Sequence, residues 1–135
     1  MMIVDANGAI LGRLATKISK ELLKGESIIV INSEKIIVSG NTKAVFKRFH
    51  EKRKKGDPHK GPFYPRYPDR ILKRVVRGML PYKKERGKKA FRKLKVYMGN
   101  PDSLKGEKIS KTSDDLKCKF ITLEHLCKRL GAKLG

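Results

Sequence analysis

Ile3-Val4-Asp5-Ala6-Asn7-Gly8, then Leu11-Gly12-Arg13-Leu14-Ala15-Thr16-Lys17-Ile18-Ser19-Lys20-Glu21-Leu22, then Ser27-Ile28-Ile29-Val30-Ile31, reads as strand, helix and strand within about thirty residues. The first apolar pair runs into a turn at Asp5–Gly8. Leu11, Leu14, Ala15, Ile18 and Leu22 recur at helical spacing and make one apolar stripe. Arg13, Lys17, Lys20 and Lys24 lie opposite it, and Gly25 marks the stop. Ser27–Ile31 is continuous and β-branched, the pattern of a buried strand. A βαβ unit of this kind predicts a parallel pair with a right-handed crossover, and so an α/β fold.

Working outward, Ile36-Ile37-Val38 reads as a further strand, too close to Ile31 for a parallel crossover and without an assignable partner. After Gly40-Asn41 a helix is predicted from about Thr42 into Lys52-Arg53-Lys54-Lys55. Residues 56–68 have no periodicity, and Asp57-Pro58, Gly61-Pro62, Tyr64-Pro65 and Tyr67-Pro68 impose extended or turn geometry. In the next helix Ile71, Leu72, Val75, Val76, Met79 and Leu80 cover one face. Arg70, Lys73, Arg74 and Arg77 fall at i, i+3, i+4 and i+7 on the other, and Pro81 ends it. A short basic helix over 87–95, anchored by Ala90, Phe91 and Leu94, leads into a strand at Lys95-Val96-Tyr97-Met98, closed by Gly99-Asn100-Pro101. Residues 102–117 read as loop and Phe120-Ile121 as a strand. Leu123, Leu126, Cys127 and Leu130 then form a helix with Thr122 as its N-cap and Gly131 beyond its end.

The 135 residues suit one domain, 1–135. Leu, Ile, Val and Phe make up about 27% of the chain, above the roughly 20% of disordered sequences, so a core is expected. No apolar run approaches the ~18 residues of a membrane span. The polar turn at Asp5 argues against a cleaved signal peptide. Two cysteines are too few for a disulfide scaffold and point to a reducing cytosol. Lys and Arg number 34 against 13 Asp and Glu, a formal net charge of +21. Nearly all of it sits in residues 43–95, with 21 basic and 4 acidic side chains; residues 1–42 are almost balanced. A balanced body beside a basic region is the charge distribution of a polyanion binder, because solubility alone needs far less.

Catalytic chemistry is poorly represented. Gly8 and Gly12 do not match G-x-G-x-x-G, and Ser39-Gly40-Asn41-Thr42-Lys43 lacks the Walker spacing; both read as turns, although a helix N-terminus near Gly8 retains N–H groups for one phosphate. Cys118, His125 and Cys127 lack a fourth ligand and a C-x-x-C pair, so two buried thiols and a surface histidine are expected, with no metal. His50 and His59 have no nucleophile or carboxylate constellation beside them. Neither a catalytic set nor a cofactor site is expected.

The middle region combines cations that neutralise phosphates with Phe63, Tyr64 and Tyr67 interleaved among Lys60, Arg66 and Arg70, rings suited to stacking on unpaired bases. The alternative for these aromatics is a staple of the loop to the body. The candidate RNA contacts are Lys43, Lys47, Arg48, Lys52, Arg53, Lys54 and Lys55 of the helix and its charge run. The loop offers His59, Lys60, Tyr64, Arg66 and Tyr67. Arg70, Lys73, Arg74 and Arg77 form the basic helix face, Lys88 and Lys89 follow it, and Arg13 comes from the first helix. On the residues alone, a small RNA-modifying or phosphate-transferring α/β enzyme and a DNA-packaging protein stay open.

Three blocks carry a resemblance: Val4-Asp5-Ala6-Asn7-Gly8 through Leu11-Gly12-Arg13-Leu14-Ala15; Ile31-Asn32-Ser33-Glu34-Lys35-Ile36 into Ser39-Gly40-Asn41; and Val76-Arg77-Gly78-Met79-Leu80-Pro81 through Leu94-Lys95-Val96-Tyr97-Met98-Gly99. Over residues 3–101 the chain resembles the large-subunit ribosomal protein family called L-thirteen. Arg66-Tyr67-Pro68 and the Phe120–Gly131 ending resemble its archaeal and eukaryotic branch. The resemblance implies a three-layer α/β/α fold around a small, mainly parallel sheet with a long basic extension. It also implies a non-enzymatic, structural role in the cytoplasmic large subunit, in assembly and in contact with ribosomal RNA and neighbouring ribosomal proteins, without membrane or homo-oligomer. By position, Arg70, Arg74, Arg77, Lys83, Lys84 and Arg86 lie around the family's basic motif and would face RNA.

Overall fold

The computed structural model describes residues 2–54, 64–100, 103–109 and 118–133. The βαβ unit is present: β1 (Met2–Asp5), α1 (Leu11–Leu23) and β2 (Ile28–Ile31). After a 3-10 turn at Ser33–Lys35 come β3 (Ile37–Ser39), α2 (Thr42–Lys54), α3 (Pro68–Met79), α4 (Glu85–Arg92), β4 (Leu94–Val96), β5 (Phe120–Thr122) and α5 (Leu123–Arg129). β1, β2 and β4 form a parallel sheet with β2 at its centre, Val4 opposite Val30 and Val30 opposite Val96. The protein therefore has the α/β fold with a small, mainly parallel sheet that its sequence implies.

The strand period of two puts Val4, Ile28, Val30, Leu94 and Val96 on one face, where all are buried. Against them lie Leu14, Ile18 and Leu22 of α1 and Ile71, Leu72 and Val76 of α3, in one continuous core. Each such side chain, fully buried, contributes about 1.5–3 kcal/mol relative to exposure. Lys95, between two buried neighbours on β4, points to the other face and is exposed. At the outer edge of β1, the Asp5 N–H donates to the Glu107 carbonyl and the Glu107 N–H to that of Ile3, both at 3.0 Å. This approach needs Gly106, where a Cβ would come within 2.7 Å of the Asp5 nitrogen.

The unassigned Ile36–Val38 run finds its partner far along the chain. β3 pairs antiparallel with β5, Val38 opposite Ile121, in a separate two-stranded sheet. α5 then starts without a break, and the Thr122 hydroxyl oxygen accepts a hydrogen bond from the His125 N–H at 3.3 Å, the expected N-cap. Arg53 at the end of α2 donates through Nη1 to the Leu130 carbonyl at 2.8 Å, placing a cation at the C-terminal end of α5.

The carboxyl ends of β1, β2 and β4 are tied together by a polar clasp. Asn32, at φ +59°, donates from Nδ2 to Asp5 Oδ1 at 3.0 Å and from its backbone N–H to the Gly99 carbonyl at 2.9 Å. Glu34 Oε2 accepts the Gly99 N–H at 2.8 Å. Open α/β sheets hold ligands outside the carboxyl ends of their strands. Here Asp5, Asn32, Glu34 and the chain at 97–99 bond to one another across those ends instead.

Some local expectations change. Leu94 opens β4 rather than closing the basic helix, because its pairing with Ile28 buries it in the sheet. Tyr97 and Met98 lie beyond that strand and are exposed. Met79 is 43% exposed, its sulfur 3.7 Å from the Thr16 hydroxyl, so the apolar face of α3 ends at Val76 and resumes with buried Leu80. Cys118 is exposed and only Cys127 is buried, because Cys118 precedes β5 outside the core. The Gly8 N–H itself donates to the Lys35 carbonyl at 3.0 Å, and α1 opens three residues later, at Leu11. No helix among the described residues is long and apolar enough to cross a membrane, and no metal-ligating cluster occurs among them.

Candidate nucleic-acid interface

α3 organises the site. Pro68 fits its first turn, Asp69 complements its positive end, and Ile71, Leu72 and Val76 fix the helix to the core. The opposite side then presents Arg70, Lys73, Arg74 and Arg77 to a cleft of about 610 Å³. Arg53 and Arg66 also line it, together with Tyr64, Pro65, Tyr67, Tyr82 and Phe91. Among the described residues, no carboxylate lines it. The ion pairs Lys24–Glu21 (3.2 Å) and Lys128–Glu124 (3.1 Å) involve none of these cations.

The rings hold the cations apart and in place. Arg77 lies 4.3 Å from the Tyr82 ring centre, Arg74 5.7 Å from that of Tyr64, and Arg70 and Arg66 5.8 and 5.9 Å from that of Tyr67. Lys52 lies 5.2 Å from both Phe49 and Tyr64. Cation–π contacts of this kind are worth about 0.5–1 kcal/mol at exposed sites, enough to orient a guanidinium without neutralising it. Tyr64 is half-buried and meets Phe49 edge-on at 5.9 Å. Burial raises its phenol above the ordinary range although Arg74 and Arg48 oppose the shift, so the hydroxyl stays neutral. Tyr64 and Tyr67 pack against the core and so do staple the loop's end to the body, while lining the cleft.

The candidate residues separate by position. Arg66, Arg70, Lys73, Arg74, Arg77, Tyr64, Tyr67 and Arg53 converge on the cleft. Arg48 and Lys52 line an adjoining hollow of about 320 Å³ beside Leu11 and Gly12. Lys43, Lys47 and Lys54 are exposed on α2, and Arg13 is exposed on α1. Lys83 and Lys84 occupy the exposed turn after α3, and Arg86, Lys88 and Lys89 the exposed side of α4. Lys55, His59 and Lys60 lie outside the described residues, as does Phe63. Sequence reasoning missed Tyr82 and Phe91, which meet edge-on at 5.7 Å and wall the far end of the cleft. The only signal for them was Gly87: a Cβ there would run into the Pro81 carbonyl and come within 2.8 Å of the Tyr82 nitrogen, so glycine lets α4 seat against that turn.

The family model for ribosomal protein L13 matches residues 1–103, the span from β1 through the clasp, the basic helix and β4. The chain belongs to that family. It is a family of ribosomal proteins and not of enzymes. The large ribosomal subunit protein uL13 of Archaeoglobus fulgidus is 47% identical over 135 residues, covering 96% of this chain and 86% of that protein. The uL13 of Methanocaldococcus jannaschii is 47% identical over 138 residues, covering 98% and 99%. The uL13 of Haloarcula marismortui is 41% identical over 133 residues, covering 97% and 91%. In these ribosomal proteins the likeness therefore continues past residue 103 through most of the length that holds β5 and α5.

Proposed function

We propose that the chain is a structural constituent of the large ribosomal subunit in the cytoplasm, binding ribosomal RNA through the α3 cleft and the cations around it, and abutting neighbouring ribosomal proteins. One observation carries the reading: Arg66, Arg70, Lys73, Arg74 and Arg77 share a cleft that, among the described residues, no carboxylate lines. An RNA backbone supplies the missing negative charge, and release of its condensed ions drives binding. Tyr67 and Tyr82 offer ring surface beside those cations for an unpaired base. Lys83, Lys84, Arg86, Lys88 and Lys89 extend the positive surface along α4, and the chain acts as a monomer off the membrane.

The test is Arg70→Glu with Arg74→Glu. Both side chains project from the side of α3 away from its buried residues, so circular dichroism should stay unchanged while incorporation into large subunits, followed by sedimentation, is blocked. Normal incorporation would reject the assignment of this helix face. Wild-type affinity for a structured ribosomal RNA fragment should fall about a thousandfold between 50 and 200 mM salt for roughly six phosphate contacts. Preference for duplex DNA at equal salt would favour a DNA-packaging role instead.

A further inference from the structure

A second cationic and aromatic cluster lies on the opposite flank of α2. Successive residues of a helix are offset by about 100°, which places Phe46 and His50 on one flank and Arg48 and Lys52, which face Tyr64 and the hollow beside the cleft, on the other. The Phe46 and His50 rings stack, with centres 5.4 Å apart and planes 19° from parallel. From α5, the Arg129 guanidinium lies 4.3 Å from the same Phe46 ring. Lys43 and Lys47 are exposed on the outer side of α2, and His125 is exposed one turn before Arg129. Two carboxylates lie nearby: Glu124 is paired with Lys128 at 3.1 Å, and Glu51 is exposed on α2 beside His50, so Lys43, Lys47 and Arg129 still leave an excess of positive charge.

We infer that this column of His50, Phe46 and Arg129 is a second RNA-contacting surface, on which an unpaired nucleotide stacks while its phosphates meet Lys43 and Lys47. The inference rests on the RNA-binding reading above. Charge complementarity selects the occupant, because an excess of cations beside stacked flat rings fits phosphate and base together, whereas an apolar protein partner would leave the cations unpaired. With the cleft on the other flank, one chain would then hold two RNA segments together. The tail that supplies Arg129 lies outside the strongly basic region, which is why charge counting passes over it.

The experiment uses the full chain, a structured ribosomal RNA fragment and single-stranded oligouridine, each carrying one dye of a transfer pair. Wild-type protein should bring both dyes together in one ternary complex. Phe46→Leu with Arg129→Glu keeps an apolar side chain at the α2–α5 joint; its thermal melt should match wild type. With the cleft saturated by the structured fragment, it should weaken oligouridine binding about tenfold or more, abolish the transfer signal and leave binding of the fragment. Arg70→Glu with Arg74→Glu should show the converse, losing the fragment and keeping oligouridine. Unchanged transfer in the Phe46–Arg129 variant overturns the second surface alone. Failure of wild-type protein to bind either RNA overturns the RNA reading itself, and this inference with it.

Discussion

Gly87 shows how one missing side chain shapes the cleft. The α4 backbone lies so close to the Pro81–Tyr82 turn that a methyl group would meet main-chain atoms, which cannot swing aside. Gly87→Ala should therefore cost about 2 kcal/mol or more in urea unfolding and displace Tyr82, weakening RNA binding as well. The two thiols give a second check. Burial pushes the Cys127 thiol up to about 12, with the Asp69 carboxylate adding to the effect, whereas Cys118 is exposed. At pH 8 a thiol reagent should modify Cys118 quickly in the native protein and reach Cys127 only after denaturation. The sign for stability follows: the folded thiol stays protonated while an unfolded one ionises above its ordinary value of about 9, so this contribution is intact below that pH and declines as pH rises toward 12. Native modification of both thiols would contradict the buried placement. At this scale the sequence says least. Asn32, Gly87 and Tyr82 act through neighbours that are distant or unassigned in the linear order, and nothing in their own identity names those neighbours.

α3 is legible in the sequence because both of its faces are encoded locally, apolar residues for the core and Arg70, Lys73, Arg74 and Arg77 for the cleft. The βαβ unit is legible for the same reason, as its strands and helix are consecutive. β3 is not, since its partner β5 begins about eighty residues later and a three-residue apolar run carries no instruction about whom to pair with. Leu94 misleads for a related reason: it continues the helical spacing of Ala90 and Phe91, yet tertiary pairing with Ile28 assigns it to β4. The helix cap at Thr122 is a local signal and proves correct. Thr122→Ala should cost about 1 kcal/mol through loss of the bond to the His125 N–H, seen as a lowered denaturant midpoint with unchanged slope. A variant as stable as wild type would mean that the cap is dispensable to α5.

Over the whole molecule, a net charge of +21 acts against a modest core. Repulsion of that size opposes compaction until anions approach, so melting temperature should rise as sulfate is added at constant ionic strength, and more steeply for wild type than for the Arg70–Arg74 double variant. Equal response in the two proteins would show that the cleft is no special sink for anions. The central strand β2 has β1 on one side, drawn from the beginning of the chain, and β4 on the other, drawn from residues 94–96. A ribosome making this protein must therefore extrude the entire positively charged middle before the last strand of the main sheet can dock. In that interval a nascent chain with an unfinished hydrophobic interior already carries the charge of residues 43–95. On the proposed function, RNA would then meet the chain while its interior is still being completed.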